Sequence, residues 1–169
     1  SLYNQYIRLL DNLEYHILGN HLLENGLSLL FGAYYFKDDA MYLKAKNIIE
    51  KELEEQILED GAHFELSPMY HQIILDRVLD CIYLVKENAW KENLELIYLM
   101  KLKATEMMSW LNEVTFKDGI IQMVNDSAFG IAPDTSSLLE YGKNLKILPR
   151  KIKLSASGYR KFTNDSYEL

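Results

Sequence analysis

The chain has 169 residues, with 18 basic and 25 acidic side chains, and its net charge of −7 argues against a nucleic-acid partner, which needs a basic surface. Its length suits one domain, and a hydrophobic content of 49% excludes intrinsic disorder. The single cysteine, Cys81, excludes a disulfide framework within the chain, and no apolar run reaches the roughly 20 residues of a membrane span.

Apolar residues recur at helical spacing through the first 114 residues and predict five helices. Gly19 is expected to end the first of them, because glycine readily adopts the left-handed conformation that stops a helix. Ser67 followed by Pro68 predicts the start of the fourth, as an N-cap and a first helical residue. The predicted helices cover residues 2–18, 21–36, 40–58, 68–87 and 92–113.

The sequence changes character after Val114. A segment with two glycines and a proline predicts loops, and a short helix is expected over residues 134–145. From Pro149 onward the residues alternate in polarity, which predicts one or two strands. So short a β segment needs sheet partners, so we expect residues 149–169 to begin a truncated β-domain that follows a helical domain over residues 1–148.

Polar residues open the otherwise apolar second helix. Asn20 stands at its N-cap position, and His21 and Glu24 are three residues apart on its first turn. These residue types suit the binding of a polar ligand. The competing interpretation is that Asn20 caps the helix while His21 and Glu24 form a capping and surface pair.

A second polar cluster crowds the start of the fourth helix, within residues 60–71. It contains two histidines, His63 and His71, two carboxylates, Asp60 and Glu65, and Tyr70. The free N–H groups and the dipole of a helix start favour negative charge, which suits an acid–base role for Tyr70. The alternative is that Tyr70 packs between helices with its hydroxyl satisfied.

A third cluster, Asn125-Asp126-Ser127, has an Asx-type turn as its default interpretation. Signatures of zinc proteases, serine hydrolases and phosphate-binding loops do not occur in the sequence. His63 and His71 have no recognised zinc spacing, so neither a metal nor a cofactor is predicted. Cys81 lies among apolar residues of the fourth helix and is expected to be inert core.

Residues 13–36 and 54–80 resemble the heparinase II/III-like polysaccharide lyases. The resemblance depends on Asn-His-Leu-Leu-Glu-Asn-Gly in the first stretch and Ser-Pro-Met-Tyr-His in the second. Residues 118–133 are similar to a later family segment, and Ser-Gly-Tyr-Arg-Lys-Phe resembles the start of the family's β-domain. The resemblance implies a mainly α fold, built of helix pairs of an incomplete α/α toroid, with a short β segment that begins an antiparallel β-sandwich.

The same resemblance implies β-elimination at a uronic acid. Asn20, helped by His21, would neutralise the sugar carboxylate, and Tyr70 would act as the acid; these are the predicted catalytic residues. A further catalytic residue would come from the β-domain, so the chain by itself is expected to be inactive. The predicted substrate-binding residues are Glu24, Phe64, Glu65, His71, Asn125 and Asp126.

An acidic polysaccharide or oligosaccharide is therefore the expected partner, and self-association through uncovered helix faces is a further expectation. Family members that degrade polysaccharide are exported, which favours a periplasmic or extracellular location, although relatives in polysaccharide biosynthesis leave the cytoplasm open. Two alternatives remain: a non-catalytic carbohydrate-binding or polysaccharide-assembly protein, and a helix-pair protein whose polar clusters are only caps and turns. Helix polarity predicts that Asn20 and Tyr70 share one concave rim, because alternate helices of an up-down array run parallel.

Overall fold

The computed structural model describes residues 1–17, 19–91, 94–164 and 167–168. Within them the chain is mainly α-helical, as predicted, with 58% helix. None of the helices in these ranges is long and apolar enough to cross a membrane. The helices are α1 (Leu2–Asp11), α2 (His21–Phe36), α3 (Asp39–Gln56), α4 (Pro68–Glu87), α5 (Leu94–Val114) and α6 (Thr135–Asn144).

Helix α2 lies at the centre of the fold and packs against α1, α3 and α4, while α5 packs against α3, α4 and α6. The largely apolar surface of α2 is buried on several sides, as the sequence predicted. The α2–α3 contact is close: a Cβ added at Gly26 would lie 2.7 Å from Cγ2 of Ile48. Cys81 is fully buried on α4, where burial raises the pKa of its thiol, in agreement with an inert core position.

The predicted bounds of α2 and α4 agree with the structure, whereas the predicted end of α1 lies too late in the sequence. Helix α1 ends at Asp11, because the Asn12 side chain donates a hydrogen bond to the Arg8 carbonyl at 2.7 Å and closes the last turn. Residues 12–17 then form turns, and Leu18, the predicted last helical residue, lies outside the described residues. The predicted start of α5 at residue 92 lies outside them too.

The expected strands after Pro149 are not formed in the described part of that segment. Its backbone is extended or bent, and the pairing it shows is an isolated bridge between Thr163 and Glu168. The segment is fastened instead to the loop before α4, where Asp60 accepts hydrogen bonds from Ser155 and Ser157. A second domain that begins here stays a prediction.

Candidate active-site cleft

The N-terminal ends of α2 and α4 meet at a polar cleft of about 650 Å³. Helix polarity predicted this meeting of Asn20 and Tyr70 on one concave surface, and the structure places both in the cleft lining. The lining residues are Asn20, His21, Glu65, Ser67, Tyr70, Asn125 and Asp126.

Asn20 occupies the N-cap position of α2, yet its side chain makes no cap hydrogen bond. Its backbone is already near-helical, with φ −76° and ψ −4°, a conformation that does not aim the side chain at the helix N–H groups. The interpretation of Asn20 as a side-chain cap is therefore wrong. Gly19, at φ +101°, turns the chain just before it, and a Cβ there would lie 2.4 Å from Oε1 of Glu65. Glycine thus permits the close approach of Asn20 to the loop before α4.

His21 lies near Glu14, a residue of the segment between α1 and α2. Its Nδ1 lies 3.7 Å from Oε1 of Glu14. Glu14 is in turn held by Asn25, because the Asn25 amide donates to Oε2 of Glu14 at 3.0 Å and accepts from the Glu14 N–H at 3.0 Å. The sequence pairing of His21 with Glu24 missed this arrangement, since it considered neighbours on the helix only.

Ser67 begins α4 as predicted, and its hydroxyl oxygen accepts the N–H of Tyr70 at 3.4 Å. Ser127 extends this cap: its hydroxyl lies 3.1 Å from that of Ser67 and accepts the N–H of Met69 at 3.2 Å. Tyr70 is half-buried, with its ring against the core. Its hydroxyl makes no hydrogen bond with the described part of the chain. Tyr70 thus lines the cleft with a hydroxyl that has no hydrogen-bond partner among the described residues.

Asn125 and Asp126 form the opposite side of the cleft. Both have left-handed backbone, at φ 49° and 64°, which Asn and Asp tolerate better than other non-glycine residues. The Asn125 amide donates to the Leu66 carbonyl at 2.9 Å, so this side chain fastens the loop beside the cleft. Asp126 contributes its carboxyl to the lining.

His71 does not line the cleft, contrary to the expectation, because it is buried on the other side of α4, with 1% exposed. Its Nδ1 accepts the N–H of His63 at 3.1 Å, and its Nε2 donates to the Met107 carbonyl at 3.0 Å. Burial lowers the pKa of His71 to about 3 and that of His63 to about 4. Both rings are therefore neutral structural groups at pH 7.

Glu24 and Phe64 also lie apart from the cleft lining. Glu24 lines a separate concavity of about 420 Å³ with Arg77 and Asp80. Burial raises the pKa of its carboxyl, and Arg77 opposes that shift. Phe64 sets its ring edge-on to His63 at 5.0 Å. The resemblance implied that Glu24 and Phe64 bind substrate beside Asn20 and Tyr70, but neither is among the residues that line the cleft.

Other sites in the described residues carry less chemistry. A cavity of about 530 Å³ lies between Glu113 and the segment around Lys153 and Lys161, and holds none of the predicted site residues. In the part of the chain that the structure describes, no group of three or more His, Cys, Asp or Glu side chains is arranged to hold a metal ion.

The structure is thus that of a mainly α-helical domain with a polar cleft between the starts of two helices. Over residues 2–154 the sequence matches the family described as Heparinase II/III N-terminus, and the chain belongs to that family. The domain is thereby that of a polysaccharide lyase family. No curated protein and no solved structure matches the chain.

Proposed function

We propose that this chain forms one wall of the active site of a lyase that cleaves uronic-acid-containing polysaccharide by β-elimination. The observation that carries the proposal is the single cleft lined by Asn20, His21 and Tyr70. Family membership supports the general reaction class. The arrangement of these three side chains supports the division of roles among them.

β-Elimination needs three kinds of help from the protein: donors that stabilise charge on the sugar carboxylate, a base that takes the C5 proton, and an acid that protonates the departing 4-oxygen. The base would be Tyr70 itself, which would then pass the proton on to the 4-oxygen, or the further catalytic group of the β-domain. The C5 proton is weakly acidic, so donors must stabilise the charge that develops on the sugar carboxylate. The Asn20 amide, free of a cap bond, supplies such a donor, and His21, which follows it in the sequence and lies near Glu14, lines the same cleft. The departing 4-oxygen needs a proton, and positioned acid–base groups of this kind contribute roughly 10²–10⁴-fold. Tyr70 is the group we propose for this step.

The cleft is one-sided in this proposal. Residues 149–169 would begin a β-sandwich domain that faces the helix starts and supplies a further catalytic group. The helical part, residues 1–148, would bind the sugar and hold its carboxylate. Residues 1–169 alone are then expected to be inactive, and lyase activity in this chain alone would contradict the two-domain site.

The test uses the full-length protein and a panel of uronate polymers, with absorbance of the new C4–C5 double bond as the readout. We expect Tyr70→Phe to lower kcat by about 10² or more, because only the proton-transferring hydroxyl is lost. Tyr98→Phe is the matched control, since this tyrosine is 70% exposed on α5, and it should leave the rate unchanged.

Two outcomes would refute the lyase assignment. One is the absence of double-bond formation from any uronate polymer. The other is a Tyr70→Phe protein that keeps its rate and changes only in affinity. Saccharide binding without cleavage would instead support the alternative, a non-catalytic carbohydrate-binding or polysaccharide-assembly protein. That alternative is favoured by one observation: among the described residues, the cleft lining includes neither Lys nor Arg.

A further inference from the structure

The tautomer of buried His63 is fixed by its neighbour Gln56. The Gln56 amide nitrogen donates to the Gly19 carbonyl at 3.2 Å and to Oε2 of Glu52 at 2.9 Å, both of which can only accept. The amide oxygen of Gln56 therefore faces His63, whose Nε2 lies 2.9 Å away. Because that oxygen accepts, Nε2 of His63 carries the proton.

Neutral His63 consequently has a bare lone pair on Nδ1. This atom is buried and has no hydrogen-bond partner in the described part of the chain. It faces Oε2 of Glu65 at 3.7 Å, too far for a hydrogen bond. Two acceptors thus lie close together, and a proton on either atom would let them form a hydrogen bond once the Glu65 side chain, which is 30% exposed, moved closer to Nδ1.

Glu65 connects this buried nitrogen to the cleft. It lines the cleft together with Asp126, whereas the lining contains no Lys or Arg. A sugar carboxylate that enters would meet two acidic side chains and no fixed cation. Repulsion of like charges would oppose binding unless one of the two carboxylates were neutralised.

Among the described residues, neither Glu65 nor His63 has an ion pair with a Lys or Arg; Lys51 pairs instead with Glu52, at 3.8 Å. His21 from α2 and Tyr70 from α4 face Glu65 across the cleft. Behind His63 stand Gln56 with Glu52 from α3, and His71 from α4. Helix α5 offers this cluster a carbonyl, that of Met107. Titratable or charged side chains near the pair are His21, Glu52, Asp60, Tyr70, His71 and Asp126.

We propose that Glu65 and His63 form a one-proton pair that couples the binding of an acidic sugar to pH. When the sugar carboxylate enters, one proton from solvent comes to lie between Oε2 of Glu65 and Nδ1 of His63, and the charge of the pair changes from −1 to zero. Glu65 thereby acts as a specificity-determining residue of the cleft, and His63 as its positioning residue. The ligand class rests on the proposed function.

Glu65→Gln tests the pair without any ligand, because the amide can donate to Nδ1 of His63 at every pH. The free energy of unfolding of the protein and of the variant is measured by urea denaturation between pH 7.5 and 5. We expect Glu65→Gln to have the higher free energy of unfolding at pH 7.5. This difference from wild type should shrink as the pH falls, since protonated Glu65 donates the same hydrogen bond to Nδ1 of His63. For Asp126→Asn, which neutralises the other cleft carboxylate, the difference in free energy of unfolding from wild type should not shrink in this way. A difference between wild type and Glu65→Gln that is constant with pH would overturn the pair.

The ligand measurement is calorimetric titration at pH 7 in two buffers of different ionisation enthalpy. The probes are a tetrasaccharide of polyglucuronate and its carboxyl-reduced, neutral counterpart. We expect uptake of close to one proton when wild type binds the acidic probe, and none with the neutral probe or with Glu65→Gln. Above the protonation midpoint, wild-type affinity should fall about tenfold per pH unit while that of Glu65→Gln stays constant.

Proton uptake that persists in Glu65→Gln would overturn the role of the pair in binding. If the acidic probe bound neither protein, the substrate class of the proposed function would be wrong, and the unfolding measurement would still decide the pair. Should Glu65→Gln fail to fold, ¹⁵N NMR of the His63 ring in wild type replaces it. There Nε2 should stay protonated while Nδ1 becomes hydrogen-bonded on acidification, and a Nδ1 signal that does not move would refute the proposal.

Discussion

Replacement of Asp60 is expected to release the C-terminal segment from the helices. Asp60 is 5% exposed, and its Oδ2 accepts the N–H of Ser155 at 2.9 Å, the N–H of Ser157 at 3.0 Å and the Ser157 hydroxyl at 2.7 Å. Burial would raise the pKa of this carboxyl. The hydrogen bonds from Ser157, Ser155 and Ala62 outweigh that effect and hold the pKa below its usual range.

The magnitude follows from the donors left behind. Asp60→Ala leaves the N–H and the hydroxyl of Ser157 buried without their acceptor, at about 1–3 kcal/mol each, so we expect a loss of about 2–6 kcal/mol in the free energy of unfolding. Asp60→Asn keeps one acceptor oxygen for the Ser155 and Ser157 donors but loses the charge and the long bond from the Ala62 N–H to the other oxygen, for which we expect about 1–2 kcal/mol. We therefore expect Asp60→Ala to destabilise the protein more than Asp60→Asn, and this order tests the role of the acceptor oxygen.

Urea denaturation at pH 7 measures both variants, and limited proteolysis after Pro149 reports release of the segment. A carboxyl whose folded-state pKa is lowered stabilises the protein above its unfolded pKa of about 3.9, and this contribution is lost as the pH falls through the folded value. The difference in free energy of unfolding between wild type and Asp60→Asn should therefore be largest at pH 7 and shrink toward pH 3. Asp118→Ala, which removes one exposed bond to the Ile120 N–H, is the control and should cost about 1 kcal/mol or less. Asp60→Ala that costs no more than this control would refute the reasoning.

Two further predictions concern buried positions. Burial lowers the pKa of His71 to about 3, so the unfolded chain takes up a proton at pH 5 that the folded chain refuses. His71 should thus cost the protein about 2 kcal/mol of stability between pH 7 and pH 5, and urea denaturation of His71→Gln should show that part of the pH dependence removed. Gly61→Ala should destabilise by about 3 kcal/mol or more, because φ is +88° and the new Cβ would lie 2.1 Å from the Glu106 carbonyl oxygen. Gly119→Ala, at φ +86° with open space around it, should cost only about 1 kcal/mol in the same assay.

Local signals in the sequence predicted those parts of the fold that local interactions determine. Ser67 and Pro68 mark the start of α4 in the sequence, and the structure begins the helix there with the expected hydroxyl cap. The end of α1 was missed because a single side chain, Asn12, closes the helix earlier than the apolar pattern suggests. The alternation after Pro149 predicted strands, but strand formation depends on a neighbouring strand, which the described residues do not provide.

The cleft could be predicted only to the level of helix ends. Asn20 and Tyr70 share it because their helices start on the same rim, whereas the faces of those helices needed tertiary information. Successive helical residues differ by about 100°, so when Tyr70 faces the cleft, His71 turns into the core. Contacts such as that of Ser127 with Ser67 join residues 60 apart in sequence, and no local pattern reveals them.

The backbone carbonyl of Leu66 connects two distant parts of the chain to the cleft, the loop that contains Asn125 and the C-terminal segment that contains Tyr159. Leu66 has φ +56°, and its oxygen accepts both the Asn125 amide and the Tyr159 hydroxyl at 2.9 Å. The two residues that flank it, Glu65 and Ser67, line the cleft. Since Asp60 holds the segment that carries Tyr159, the C-terminal segment is joined to the cleft through hydrogen bonds, and its described part forms no strand. Release of that segment should therefore loosen Glu65 and weaken its control of the cleft charge, in addition to lowering stability.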